Sequence, residues 1–198
     1  MQAALQLGAM HADSWKQDPK HLGFVLARYK FVAKMVTGLD RVLEIGCGDC
    51  TGARIVIDVV NEWHGIDNNP RLVNGAPNTS EGDIVHGGIP LGWDAIYMLD
   101  VLEHIQPAHE HKALDNIRAA LYPGGFVIIG MPSKESQTYA SRLSKEHHVN
   151  CKTEDELRKT MQRHFNSVFL FGMNDETLHT GFGPMCHYRL AIGTGARQ

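Results

Sequence analysis

The chain has 198 residues, 43% of them hydrophobic, with a formal charge of -3 and a sequence pI near 6.4. That length suits one domain with a substantial core, and the slightly acidic balance excludes a broad basic footprint for nucleic acid. No apolar run is long enough for a membrane helix and the N-terminus lacks the regions of a secretory signal, so a cytoplasmic protein with no nucleic-acid or membrane partner is expected.

In chain order, the first seventeen residues are weakly patterned. Leu22, Val25, Leu26, Tyr29, Val32 and Val36 recur at helical intervals, which predicts an amphipathic helix over Pro19–Val36, started by Asp18-Pro19. Arg41-Val42-Leu43-Glu44-Ile45 is a buried-strand pattern that runs into the glycine-rich Gly46-Cys47-Gly48-Asp49-Cys50-Thr51-Gly52. Further strands are predicted near 62–66, 83–85, 95–98 and 126–129, with helices near 52–60 and 107–120. Such alternation favours a parallel sheet covered on both faces. Residues 134–149 are polar and irregular, as in an acceptor-side lid. Thr153-Glu154-Asp155-Glu156 then reads as a capping box opening a helix. The last two strands are expected at 167–171 and 187–192, joined by a long connection over 174–184 that could edge the mouth of a site. Without repeats or low-complexity linkers, residues 1–198 read as one domain. Its parts are an N-terminal extension and helix over 1–37, a cofactor-binding core over 38–132, and an acceptor-side segment with the last strands over 133–198.

Glycines 46 and 48 would let the backbone leave the strand sharply and approach a ligand. The helix beyond would turn its unpaired N–H groups toward a ligand carboxylate. Glu44, two residues before Gly46, separates this loop from most dinucleotide-binding turns. Trp63-His64-Gly65-Ile66-Asp67 ends in a carboxylate able to accept hydrogen bonds from both hydroxyls of a ribose. Glu81-Gly82-Asp83-Ile84 places an acidic residue where a third strand should end, suited to an adenine amino group. Asp94 to His104 supplies a fourth strand running into a polar segment, and Leu121-Tyr122-Pro123-Gly124-Gly125-Phe126 leads into a fifth.

In this order the motifs resemble the class I S-adenosylmethionine-dependent methyltransferase family, particularly its small-molecule branch, which has a segment like Val101-Leu102-Glu103-His104-Ile105 after the fourth strand. The resemblance covers roughly residues 20 to 192. It implies a Rossmann-like α/β fold: a seven-stranded, mostly parallel sheet with one antiparallel strand and helices on both faces. It further implies S-adenosylmethionine as cofactor over the carboxyl ends of the first strands, and a methyl acceptor near the fourth and fifth. By the same resemblance Glu44, Gly46 and Gly48 hold the methionine portion with Cys47 packed alongside. Asp67 and Asn68 take the ribose, Asp83 and Ile84 the adenine, and Asp100 the edge nearest the reacting centre, while Arg28 pairs with a carboxylate. The family often has a third glycine where this chain has Cys50; Gly52 restores some freedom to the turn. Cys47 and Cys50 form a C-x-x-C spacing, but no second close pair completes a zinc site, and Cys47 is expected to pack beside the cofactor.

Twelve histidines invite both metal and general-base readings. His109-Glu110-His111 lies in a predicted helix, where imidazoles two apart do not share a face, so a solvated helix surface is expected and no metal site. Asp115-Asn116 falls in the middle of that helix and is likewise set aside as a metal pair. His104, His147 and His148 follow the fourth strand and the acceptor segment, where an imidazole could take a proton near neutral pH. Trp15, His21 and Tyr139 are further candidates for acceptor contact. The expected activity is methyl transfer to a small polar acceptor, at a hydroxyl oxygen, in a sugar precursor or other metabolite. Two alternatives stay open: a noncatalytic adenosyl-ligand-binding protein on this scaffold, and an NAD(P)-dependent oxidoreductase, although Thr51 breaks the G-x-G-x-x-G spacing the latter needs.

Overall fold

Alternation along the first strand organises the molecule. In β1 (Arg41–Ile45), Val42 joins an apolar layer with Val32, Val36 and Tyr97, while Leu43 and Ile45 join another with Leu114, Ile117, Leu157 and Met161. Successive side chains of a strand point to opposite faces, so both faces of this sheet are covered. The computed structural model describes residues 7–73 and 77–197. Beyond β1 the strands are β2 (Glu62–Asp67), β3 (Thr79–Glu81), β4 (Trp93–Leu99), β5 (Leu121–Pro132), β6 (Phe165–Asn174), β7 (Thr177–His179) and β8 (Tyr188–Ala196). They form one eight-stranded sheet in the order β3-β2-β1-β4-β5-β8-β6-β7. Strands β1 to β5 run parallel, whereas β8 is antiparallel to both β5 and β6.

The eighth strand departs from the expected seven. Within the predicted connection, Asp175 and Glu176 make a tight turn, Asp175 at φ 51°, and Thr177–His179 folds back on β6 as an edge hairpin. The third strand also sits earlier than 83–85. Thr79, Ser80 and Glu81 pair with Gly65, Ile66 and Asp67. The Asp83 carboxylate then accepts from the N–H groups of Val85 and His86, at 2.7 and 3.2 Å, and this local turn draws the chain off the sheet.

Helix α1 (Ala9–Gln17) occupies the weakly patterned start of the chain, and α2 (Pro19–Val36) begins where expected, with the Asp18 side chain accepting from the backbone of Lys20 and His21. Short α3 (Arg54–Ile57) and α4 (Pro70–Val73) follow β1 and β2. The predicted 52–60 helix is thus only a single turn. Helix α5 (Glu110–Ala120) precedes β5. The acceptor segment, expected to be irregular, contains a 3-10 turn over Glu135–Tyr139 and helix α6 (Arg142–His147). Helix α7 (Glu154–Gln162) starts with the full capping box: Thr153 Oγ1 accepts from Glu156 N at 3.2 Å, and Glu156 Oε2 from Thr153 N at 2.8 Å. Among the described residues no helix is long and apolar enough to cross a membrane.

Because β2 and β4 flank β1, the chain leaves β1 in one direction and returns to build β4 on the other side. Such a reversal opens a crevice at the carboxyl ends of the strands, where open α/β sheets take their ligands.

Candidate active site

The glycine-rich turn after β1 forms the wall of that crevice. Gly46 has φ 74°, and a Cβ there would lie 2.3 Å from Val101 Cγ2, so only glycine fits. Its N–H and that of Cys47 both donate to Ile66 O, at 2.7 and 3.1 Å, which ties the turn to the end of β2. Gly48 N donates to Asp67 Oδ2 at 3.0 Å, and Asn69 N to Asp67 Oδ1 at 2.9 Å. A carboxylate has about four lone-pair sites, so Asp67 keeps acceptor capacity for ligand hydroxyls. Cys50, where the family often has glycine, adopts φ 57°, and its N–H is held by Cys47 O at 2.9 Å. It takes the left-handed conformation that glycine adopts freely, at the steric cost of a side chain. All four cysteines are free thiols. The Cys50 thiol as hydrogen-bond partner, and then burial, push the Cys47 thiol well up.

Two cavities meet at this turn. The larger, about 450 Å³, is lined by Gly46, Gly48, Asp67, Asn68, Asp83, Ile84, Asp100 and His104, with Val101, Gln106 and His109 at its side. The other, about 310 Å³, is lined by His11, His21, Arg28, Cys47, Asp100, Glu103, His104 and His148. Gly46, Gly48, Asp100 and His104 border both. The larger volume falls within the range of small-molecule pockets. Its backbone glycines and the carboxylates of Asp67 and Asp83 suit a ligand carrying an amino-acid moiety, ribose hydroxyls and a purine amine. The His86 ring, 2.9 Å from Asp83 Oδ2, leads the interactions that hold the Asp83 carboxyl below its ordinary range.

Asp100, at the end of β4, has φ 57° and pairs with Arg28 of α2 at 2.7 Å. The Arg28 guanidinium lies 3.8 Å from the centroid of the Tyr188 ring. Burial works against its charge, but Asp100 outweighs that and holds its pKa above the ordinary value. Arg28 and Asp100 thus fasten α2 to the seam between the cavities.

Glu44 lies under the turn and lines neither cavity. Alternation along β1 points it to the α2 face, where Tyr29 Oη donates to Oε1 at 2.8 Å and Tyr97 Oη to Oε2 at 2.6 Å. Trp63 Nε1 donates in turn to Tyr97 Oη at 3.1 Å. Burial raises the Glu44 pKa to about 7, with the two tyrosines opposing the shift. Its place is therefore support beneath the loop rather than a surface facing the ligand.

The three histidines proposed as bases separate. His104 borders both cavities and His148 the smaller one, with ring centroids 5.1 Å apart at 75°. Burial, then His104, lowers the His148 pKa. His147, the last residue of α6, is exposed and lines neither cavity; only its carbonyl oxygen turns inward, 3.2 Å from His104 Nδ1. His21 lines the smaller cavity, whereas Trp15 and Tyr139 line neither. Glu110, expected on a solvated surface, is instead buried against Lys152 Nζ at 2.7 Å.

Three participants went unread in the sequence: Glu103, His11 and Tyr29. Glu103 is fully buried, and desolvation followed by the Asp100 carboxylate pushes its pKa well above the carboxylate range. Its spacing three residues after Asp100, beside His104, was the available signal. His11 Nδ1 lies 2.6 Å from Asp49 Oδ1 in the glycine-rich turn, and nothing in the pattern around residue 11 announces it.

A family model described as a methyltransferase domain matches residues 12–164, while no curated protein matches the sequence. Among solved structures, a SAM-dependent methyltransferase from Archaeoglobus fulgidus has a TM-score of 0.71 at 16% identity, covering 95% of this chain and 100% of that one. A Haloferax volcanii methyltransferase, solved in complex with the Trm112 methyltransferase activator, gives 0.69 at 17% identity, with 96% of each chain covered. The N-methyltransferase NodS from Bradyrhizobium japonicum WM9, solved with S-adenosyl-L-homocysteine, gives 0.61 at 16% identity over 91% of this chain and 90% of that one. At such identities the structural likeness carries the fold, and the match of the family model across most of the chain carries the membership. The chain belongs to the class I S-adenosylmethionine-dependent methyltransferases.

Proposed function

We propose that this enzyme methylates a hydroxyl oxygen of a small polar acceptor, with the cofactor in the larger cavity and the acceptor in the smaller one. The observation that carries this reading is the shared border: both cavities open on Asp100 and His104, and the smaller one is lined by Arg28, His21 and His148. S-adenosylmethionine, when bound, supplies an activated methyl group on a sulfonium. The protein's part is to align the acceptor, exclude water and help remove the hydroxyl proton. In this reading Gly46 and Gly48 admit the methionine portion, supported from below by Glu44 and at the side by Cys47. Asp67 and Asn68 take the ribose, and Asp83 and Ile84 the adenine. Arg28 and Asp100 set the seam between donor and acceptor, and His104 and His148 assist loss of the proton. The segment 133–150 closes the acceptor side, with Ser144 and His148 facing inward. Four free thiols suit a reducing, cytoplasmic setting.

Calorimetry with S-adenosylmethionine, S-adenosylhomocysteine and NAD tests the cofactor half. Asp67→Ala should weaken adenosyl-ligand binding by about 1–3 kcal/mol, the scale of a lost charged hydrogen-bond partner. Transfer of labelled methyl to a hydroxylated metabolite panel tests the acceptor half. His104→Ala and His148→Ala should each lower turnover by about 10²–10⁴-fold, His148→Ala with cofactor affinity retained. Product labelled only at nitrogen or carbon would remove the hydroxyl reading, and full turnover by both variants would remove His104 and His148 from proton loss.

A further inference from the structure

We propose that Glu103, His104 and His148 form a site for one divalent transition-metal cation on the wall of the acceptor cavity. Each offers a ligand atom, and these atoms lie within 4.8 Å of one another. Glu103 carries the first argument. It is 0% exposed, and among the described residues neither carboxylate oxygen has a hydrogen-bond partner. A buried carboxylate left so is costly, and the nearby cation, Arg28, is already engaged by Asp100 at 2.7 Å. A cation between Glu103 and the two rings supplies the missing partner.

The ring contacts carry the second. His104 Nδ1 lies 3.2 Å from the carbonyl oxygen of His147, and His148 Nδ1 lies 2.9 Å from Oε1 of Gln137. A carbonyl oxygen only accepts, so each Nδ1 carries the proton and each Nε2 keeps a free lone pair. The Gln137 amide is oriented by its other end, since its Nε2 donates to Ser133 O at 3.3 Å. Metal-ligating histidines are held in this way, with the second nitrogen donating to a carbonyl or carboxylate. The backbone fixes the same geometry: Val149 N and Asn150 N both donate to Glu103 O, at 2.8 and 3.0 Å, clamping the His148 segment to the Leu102–His104 turn. Two imidazoles and one carboxylate suit a zinc-type or manganese ion, with coordination positions left for other oxygen ligands, better than magnesium or calcium.

The site stands on these contacts alone; its role rests on the methyl-transfer reading above. An acceptor hydroxyl in an open coordination position is oriented and gives its proton more readily to water. His104 and His148 then act as ligands rather than as proton acceptors, contrary to the expectation of no metal.

The test uses the full chain, stripped with EDTA and dialysed, titrated calorimetrically with Zn²⁺, Mn²⁺ and, as a control, Mg²⁺. One Zn²⁺ or Mn²⁺ per chain is expected, with little response to Mg²⁺. Glu103→Gln and His148→Ala should weaken binding by at least about 100-fold. Gln137→Ala, which removes the support of the His148 ring but no ligand, should weaken it by about 10–100-fold. Far-UV circular dichroism and denaturant unfolding, measured on each variant, report intact folding. If stripped wild type takes up neither transition metal in stoichiometric amount, or the His104→Ala/His148→Ala double variant binds as well as wild type, the site is wrong. Methyl transfer with and without chelator separates the two ideas. Chelator-insensitive O-methylation without bound metal leaves the reaction standing and removes the site. Stoichiometric metal binding with no O-methyl product keeps the site and removes the hydroxyl reading.

Discussion

Glu44 shows how a motif residue can hold its place for a reason other than ligand contact. Its carboxyl is buried between two tyrosine hydroxyls, and its pKa rises from 4.5 to about 7. The folded state therefore binds this proton more tightly than the unfolded chain. The resulting stabilisation is complete below about pH 4.5 and is lost as pH rises through about 7. Glu44→Gln removes that dependence, so variant stability relative to wild type should rise across this window by on the order of 1–3 kcal/mol. Denaturant unfolding at a series of pH values measures it, and parallel curves for the two proteins would dismiss Glu44 as the source. The carboxylates of Asp67 and Asp83 were legible because each ends or follows a strand pattern. The orientation of Glu44 required knowing which face of β1 packs on α2. Glu103 stayed hidden for a similar reason: a carboxylate in an apolar-flanked segment shows its burial only once the surrounding chain is folded.

At the level of elements, the sequence was most informative where local chemistry decides. The Asp18 cap, the α2 stripe and the Thr153–Glu156 box all arise from contacts a few residues apart. It was least informative where tertiary contacts decide. Strand β7 is three residues on the sheet edge and carries no apolar period, and α1 is fastened by polar contacts rather than by an amphipathic stripe alone. The junction of α5, α7 and the end of the acceptor segment also rests on long-range pairing. Glu110 bonds Lys152 at 2.7 Å, Asn150 Nδ2 at 2.8 Å and Thr160 Oγ1 at 3.2 Å, all buried. Removing one member of a buried pair strands the other, so Lys152→Met should destabilise the protein by about 3–5 kcal/mol. Adding Glu110→Gln should restore part of that loss. Chemical denaturation of the single and double variants checks both, and a single-variant loss below about 1 kcal/mol would show that the pair holds little.

The whole molecule couples these elements through the reversal at β1. The alternating strands predicted the parallel half of the sheet and its covered faces. Division of the crevice into two cavities was not legible, because the residues bordering both, Gly46, Gly48, Asp100 and His104, meet from distant parts of the chain. The clasp between α1 and the glycine-rich turn has a consequence of a thermodynamic kind. His11 Nδ1 and its backbone N–H both reach Asp49, at 2.6 and 3.1 Å, and Gly8 N reaches Thr51 Oγ1 at 3.3 Å. Docking of the N-terminal helix and ordering of the turn are thus one equilibrium, and linkage between them is reciprocal. Whatever the cofactor gains by rigidifying the turn it returns as protection of α1. Amides of Ala9–Gln17 should exchange with deuterium more slowly once S-adenosylhomocysteine is bound. His11→Ala should erase most of that difference and weaken the ligand by about 1 kcal/mol; identical exchange in both states would mean that the helix and the turn order independently.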